Sequence, residues 1–204
     1  GVSLKLSNAG YSQEAPRRLQ RYEGLASEIV HAQWRQWIPD APSRVLDIGA
    51  GTGRDAAWFV SLGHTVLAVE PTDELREGAQ QLHPEVEIIW LKDQLPELAK
   101  VKARSEIFDV IMLNAVWMHL TEAERRTGFE TLVSLMAPGA RLFMSQRHGP
   151  VPKGRRMFDV SGDETTSFAR AHGLRTLYHE RNGSQLAENR NLGVEWTCLV
   201  FEKS

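Results

Sequence analysis

The chain has 204 residues, 42% of them hydrophobic and 25% charged, with 16 glycines. This is the composition of an average globular protein, and it excludes disordered and collagen-like chains. The formal charge of −2, from 24 Lys plus Arg against 26 Asp plus Glu, gives no bulk electrostatic reason to expect a nucleic-acid or membrane partner. The single cysteine, Cys198, can form neither an internal bridge nor a zinc ribbon, so no metal site and a reducing, cytoplasmic setting are expected. No window approaches the ~20 apolar residues of a membrane span. The first thirty residues lack the basic-then-apolar order of a secretory signal. The length suits one α/β unit spanning residues 1–204, as a monomer or homodimer.

Residues 1–15 are polar and aperiodic and are expected to form a flexible arm. Leu19, Tyr22, Ala26, Ile29, Gln33 and Trp37 then recur at steps of three and four, which predicts an amphipathic helix over 16–38, bracketed by Pro16 and Pro39. Residues 44–48 form a short apolar run that stops at Gly49, Gly51 and Gly53, and 55–62 is Ala-rich and apolar up to Gly63. That reads as strand, glycine turn, helix and cap. Residues 64–70 predict a second strand, Thr72 and Asp73 cap a helix to Leu82, and 86–90 is a third strand. Residues 97–102 suggest a short helix. Residues 108–113, apolar on both faces, suit the centre of a parallel sheet.

Thr121 and Glu124 have capping-box spacing and open a helix to Met136, where Pro138-Gly139 turns the chain into a fifth strand over 141–145. Ser161 and Glu164 repeat that spacing before a helix ending at Gly173. Residues 174–179 and 194–202 then read as two antiparallel strands with no helical pattern between them. Residues 44–145 are taken as the ligand-binding core and 146–204 as the substrate-side loops and final strands.

The decisive stretch runs from Val45 to Asp55. Glycines directly after a buried strand let the backbone turn sharply and approach a ligand, while the following helix aims its free N–H groups at it. Glu70 ends the next strand, nineteen positions beyond Gly51, where a carboxylate can accept from both hydroxyls of a ribose. The two signals together point to a nucleotide-type cofactor.

The run Asp47-Ile48-Gly49-Ala50-Gly51-Thr52-Gly53 resembles the first motif of the class I S-adenosylmethionine-dependent methyltransferases, an apolar strand and an acid followed by G-x-G-x-G. The likeness continues through Glu70, Asp93, Phe108-Asp109-Val110-Ile111 with Asn114, and residues 137–142. It implies a Rossmann-like three-layer α/β sandwich whose seven-stranded, mostly parallel sheet has the order 3-2-1-4-5-7-6, with strand seven antiparallel. It further implies that Gly49 and Gly51 pass close to the methionine part of S-adenosyl-L-methionine, that Glu70 holds the ribose, and that Asp93 with Gln94 faces the adenine. Asp47, Ala50, Gly53, Pro71 and Asn114 join the cofactor lining on the same resemblance, and S-adenosyl-L-homocysteine is the implied product. Arg54 either pairs with the cofactor carboxylate or is a solvated or acid-paired arginine. The spacing from Asp93 to Leu95-Pro96 is shorter than usual, so the side chain of Asp93 and the neighbouring backbone compete for the adenine amine.

In an open α/β sheet the second ligand lies beyond the strand ends. That selects Asn114, Trp117, Met118, His119, Arg147, His148, Arg155, Arg156 and Arg190, with Tyr11 and Tyr22 closing over the site from the N-terminal segment. His119 and His148 are the candidate general bases, since imidazole titrates near neutral pH. The alternatives are a packing histidine for His119 and an exposed loop histidine for His148. The four arginines suit a carboxylate or phosphate or else form a solvated basic loop, and Trp117 and Trp196 suit a planar ring or else pack the core. A small planar or anionic acceptor is therefore expected. Residues 114–117 lack the Asn/Asp-Pro-Pro-aromatic box of amino-methylating nucleic-acid enzymes, which demotes base methylation. Three other readings stay open. Gly51 to Ala56 fits G-x-G-x-x-A with Glu70 downstream, as in a nicotinamide-dependent oxidoreductase; an RNA or protein methyltransferase is a second, and a non-catalytic cofactor-binding module a third.

Overall fold

The computed structural model describes residues 27–183 and 187–204. In chain order the elements are α1 (Ser27–Arg35), β1 (Arg44–Ile48), α2 (Arg54–Ser61), β2 (Thr65–Val69), α3 (Asp73–Leu82), β3 (Ile88–Leu91), α4 (Ala99–Ala103) and β4 (Phe108–Asn114). A 3-10 turn (Trp117–His119) leads to α5 (Glu122–Ser134), β5 (Met136–His148), α6 (Gly162–Ala171), β6 (Leu174–Gly183), α7 (Ala187–Asn191) and β7 (Glu195–Lys203). The strands form one sheet of order β3-β2-β1-β4-β5-β7-β6, with β7 antiparallel to both neighbours and the other pairings parallel. This is the topology the resemblance implied.

Alternation along each strand divides the core between the two faces. Leu46, Ile48, Ile111, Leu113, Leu142, Met144 and Leu199 pack with Phe129 and Leu132 of α5 on one side. Val45, Val66, Val110, Phe143 and Val200 pack with Trp34 of α1 and Ala56 and Phe59 of α2 on the other. Asp47 lies two residues beyond Val45 and so shares its face, fully buried beneath that helical layer. The parallel register ends β1, β2 and β4 at one common edge, where Ile48 stands beside Val69 and Leu113.

Several boundaries differ from the sequence expectation for identifiable reasons. Pro138-Gly139 does not precede the fifth strand but interrupts its ladder: Phe108 pairs with Met136 and Val110 already pairs with Arg141, with Gly139 at φ 79° between them. At α5 the capping box is complete, with Thr121 Oγ1 accepting from Glu124 N (3.2 Å) and Glu124 Oε1 accepting from Thr121 N (2.8 Å). At α6 only half of it forms. Ser161 accepts from Glu164 N, but the Glu164 carboxylate turns to Arg125 of α5 at 3.1 and 3.2 Å. Thr72 makes no side-chain cap on α3, and α7 occupies a β6–β7 connection in which no helix was expected. Tyr11, Tyr22 and residues 16–26 of the expected 16–38 helix lie outside the described residues.

Candidate functional site

The glycine turn is built by left-handed backbone. Gly49, Gly51 and Gly53 have φ of 70°, 56° and 82°, a region that costs an L-residue with a side chain roughly 1–2 kcal/mol. Gly49 N and Ala50 N both donate to Val69 O, at 2.8 and 2.9 Å, drawing the turn against the end of β2. A Cβ on Gly49 would collide with Val116 Cγ2, so the segment after β4 closes directly over bare main chain. Gly53 is the N-cap of α2, and the turn delivers Arg54 and Asp55 as that helix's first residues.

Three acids surround this turn. Glu70 is 4% exposed; its Oε1 accepts from Gly51 N (2.8 Å) and its Oε2 from Thr72 N (2.9 Å), which locks the carboxylate across the mouth of β1 and β2. Burial raises its pKa, and those two N–H donors oppose the rise. Among the described residues, neither carboxylate oxygen of Asp47 has a hydrogen-bond partner. Burial first, then the charges of Asp55 and Glu70, push its pKa well above the usual carboxylate range, against the pull of Arg54. Asp55 behaves oppositely. Burial would raise it, but the His31 hydrogen bond, the Arg54 charge, the His31 charge and the Asn114 amide bring its pKa below the ordinary value. Arg54 lies alongside, its Nε 3.9 Å from Asp55 Oδ1.

This arrangement fits S-adenosylmethionine. A fully buried carboxylate without a donor has an energetic deficit that a cation relieves, and the cofactor brings an ammonium and a sulfonium. Glu70 retains unused lone pairs for ribose hydroxyls after accepting its two backbone bonds. Pro71 continues the chain from Glu70 toward α3. At the adenine end the structure corrects one expectation: both Asp93 oxygens serve the local backbone, Oδ1 accepting from Gln94 N (2.9 Å) and Oδ2 from Lys100 N (2.9 Å) and Val101 N (3.0 Å). Asp93 thus caps α4. Gln94 carries a buried Oε1 with no hydrogen-bond partner among the described residues, an acceptor suited to an exocyclic amine.

Asn114, at the end of β4, is held by side chains rather than solvated. Its Nδ2 donates to Asp55 Oδ2 at 3.0 Å and its Oδ1 accepts from Ser145 Oγ at 2.7 Å.

The expected acceptor-side residues divide sharply. Trp117 is fully buried, edge-on to Phe129 at 6.0 Å and packed near Gly128, so it is a core residue and not a stacking platform. Met118 is buried too, its carbonyl accepting from Phe158 N at 2.8 Å. His148 is not an exposed loop histidine: it ends β5, is 3% exposed, and uses both nitrogens, Nδ1 with Asp159 (2.7 Å) and Nε2 with Thr197 (2.6 Å). His119 is likewise buried, with Nδ1 on Arg156 O at 3.0 Å. Neither imidazole is placed as a general base. Arg156 turns inward to His119 O (3.1 Å) and Glu124 (3.2 Å), with its guanidinium over Phe158. Arg147 approaches Met157 Sδ at 3.7 Å. Arg155 in the following loop and Arg190 on α7 fall at the same edge, because β5 and β6 end together there. His31, Asp55, Asp159, Ser145 and Thr197 complete these contacts and were assigned no role from sequence. Asp55 alone left a trace there, as an acid in the first turn after the glycines.

The fold and glycine turn define a Rossmann-like methyltransferase, and comparison with known proteins agrees. The chain belongs to the methyltransferase domain family, which matches residues 17–195, and it is a class I S-adenosylmethionine-dependent methyltransferase. It is 22% identical to an uncharacterized methyltransferase of Oceanobacillus iheyensis, over 84% of this chain and 71% of that protein. It is 26% identical to glycine N-methyltransferase of Mus musculus, over 76% of this chain and 62% of that enzyme, so it spans less than two thirds of that relative's length. The structure of Burkholderia thailandensis 1,6-didemethyltoxoflavin-N1-methyltransferase, with bound 1,6-didemethyltoxoflavin and S-adenosylhomocysteine, superposes with a TM-score of 0.70 at 20% identity, covering 98% of this chain and 88% of that one.

Proposed function

We propose that this enzyme methylates a small-molecule acceptor held beyond the ends of β4 and β5. The observation that carries this reading is the fastening of loop 149–160 across that edge. The loop is tied down by Phe158 N to Met118 O, by Arg156 to His119 O and Glu124, and by His148 to Asp159. A loop fastened this way narrows the edge beyond β4 and β5, which favours an acceptor of metabolite size over a polymer. The net charge of −2 adds no field for RNA. The names of two similar proteins, a glycine N-methyltransferase and a 1,6-didemethyltoxoflavin-N1-methyltransferase, support the same class of acceptor.

The proposed roles follow from the site. Gly49 and Gly51 accommodate the methionine portion, Asp47 and Arg54 meet its ammonium and carboxylate, Glu70 takes the ribose hydroxyls, and Gln94 takes the adenine amine. When bound, S-adenosylmethionine supplies a methyl group already activated by its sulfonium. The protein's task is to hold the acceptor's lone pair in line behind that methyl carbon and to exclude water, which supplies several kcal/mol of the barrier without covalent help. With His119 and His148 committed to the loop clamp, the acceptor's proton passes to solvent or is absent from the start. Arg147, near the end of β5, and Arg155, in the loop after it, are the residues proposed to meet an anionic acceptor.

The test is to incubate the enzyme with methyl-labelled S-adenosylmethionine and, separately, a filterable metabolite extract, total RNA and total protein. Label entering the metabolite fraction supports the reading. Label confined to RNA or protein overturns it.

A further inference from the structure

One continuous hydrogen-bonded path links α1, α2, β4 and β5 at the glycine turn. His31 of α1 places Nε2 2.6 Å from Asp55 Oδ1, while its ring stacks on Trp58, one turn further along α2, at 3.7 Å and 11°. Asp55 Oδ2 accepts from Asn114 Nδ2 (3.0 Å), Asn114 Oδ1 accepts from Ser145 Oγ (2.7 Å), and Ser145 Oγ accepts from Ala115 N (2.8 Å). Ala115 has a φ of 63°, a strained value for a residue with a Cβ, and the next residue, Val116, covers Gly49. His31, Asp55 and Ser145 are all buried.

The direction of every bond in this path is fixed from one end. An ionised Asp55 can only accept, so Asn114 must present its NH2 to Asp55 and its oxygen to the Ser145 hydroxyl. Flipping the amide would set oxygen against carboxylate. Asp55 therefore does two things with one carboxylate: it anchors α1 through His31, and it orients the Asn114 side chain at the end of β4. His31 and Asn114 have no hydrogen bond to one another, and Asp55 is the group that joins them.

We infer that Asp55 is a positioning residue that couples the seating of α1 to the orientation of Asn114 and to the closure of residues 115–116 over the glycine turn. Cofactor binding and α1 docking then reinforce one another. This rests on the methyltransferase reading above and adds to it a link between α1 and the reaction centre.

The test is a double-mutant cycle read in affinity for S-adenosylhomocysteine, with His31→Gln, Asn114→Ala and the pair made in the wild-type and Asp55→Asn backgrounds. Far-UV circular dichroism and thermal melts on every variant identify those that remain folded. The expected result is that each single change weakens binding several-fold, and that the pair weakens it at least threefold less than the product of the two. This non-additivity should disappear in the Asp55→Asn background. Hydrogen exchange adds a readout that a merely structural role would not move: S-adenosylhomocysteine should slow exchange in 27–35 and 114–117 together in the wild type, and only in 114–117 in His31→Gln. Additive effects in the wild-type background, or unchanged protection of 27–35 in His31→Gln, would overturn the inference. Absence of binding to the wild-type enzyme would instead overturn the cofactor reading on which it rests.

Discussion

Glu70 Oε1 accepts the Gly51 amide at 2.8 Å across nineteen residues of sequence, so the acid expected to hold the ribose also fixes the turn that receives the rest of the cofactor. Replacement by alanine removes both functions. Glu70→Ala should weaken S-adenosylmethionine binding by about 1–3 kcal/mol and also lower the melting temperature, because the buried N–H groups of Gly51 and Thr72 lose their acceptor. Calorimetric titration and thermal melts check the two effects separately. A variant with normal affinity removes Glu70 from the site.

Gly49 tests the close approach of main chain. Gly49→Ala adds a Cβ at positive φ and drives it into Val116, so the turn or the 115–116 segment must move. It should lose measurable affinity for S-adenosylhomocysteine, and Val116→Ala in the same chain should restore part of it. Failure of the second change to restore any affinity would show that the backbone angle, and not the collision, decides.

The clamp on loop 149–160 predicts a proteolytic phenotype. His148→Asn loses the paired contacts to Asp159 and Thr197 and should release the loop, so that trypsin cuts at Lys153 and Arg155 faster than in the wild type. Affinity for S-adenosylhomocysteine should remain within about twofold, since the cofactor residues lie on other strands. A large loss of cofactor affinity with an intact loop would contradict this division.

Cys198 gives an alkaline signature. Burial pushes its thiol from an ordinary value of 9.0 up to about 12, so the unfolded chain ionises first and stability present below pH 9 is lost as pH rises toward 12. Each pH unit in that window should cost about 1.4 kcal/mol relative to Cys198→Ala. Denaturant midpoints of the two proteins across pH 8–11 check the slope, and parallel curves would contradict it. Below that window the native thiol should resist alkylation and react once unfolded.

What the sequence could and could not reveal divides along the range of the interactions. The strand order was readable only through the resemblance of the glycine motif to the methyltransferase family, whereas the glycine turn and its pairing with Glu70 were readable from a local pattern and from a spacing that the βαβ unit enforces. The path from His31 through Asp55 to Asn114 was not, since its partners stand 24 and 59 positions apart and no local pattern links them. His148 misled for a different reason. Its position beyond a strand end suggested exposure, but loop 149–160 folds back and buries that edge, and chain order alone does not show a loop returning; Trp117 takes the core-packing alternative open to it from the sequence. Asp93 shows the same limit at short range: the short spacing to Leu95-Pro96 was legible, but not that it brings the carboxylate onto the N-terminus of α4.

The most direct test of the whole account is a parallel titration of the purified enzyme with S-adenosylmethionine, S-adenosylhomocysteine and NADH. The sulfur compounds should each saturate one site per chain, with NADH showing no heat. Binding of NADH, or of none of the three, would contradict it.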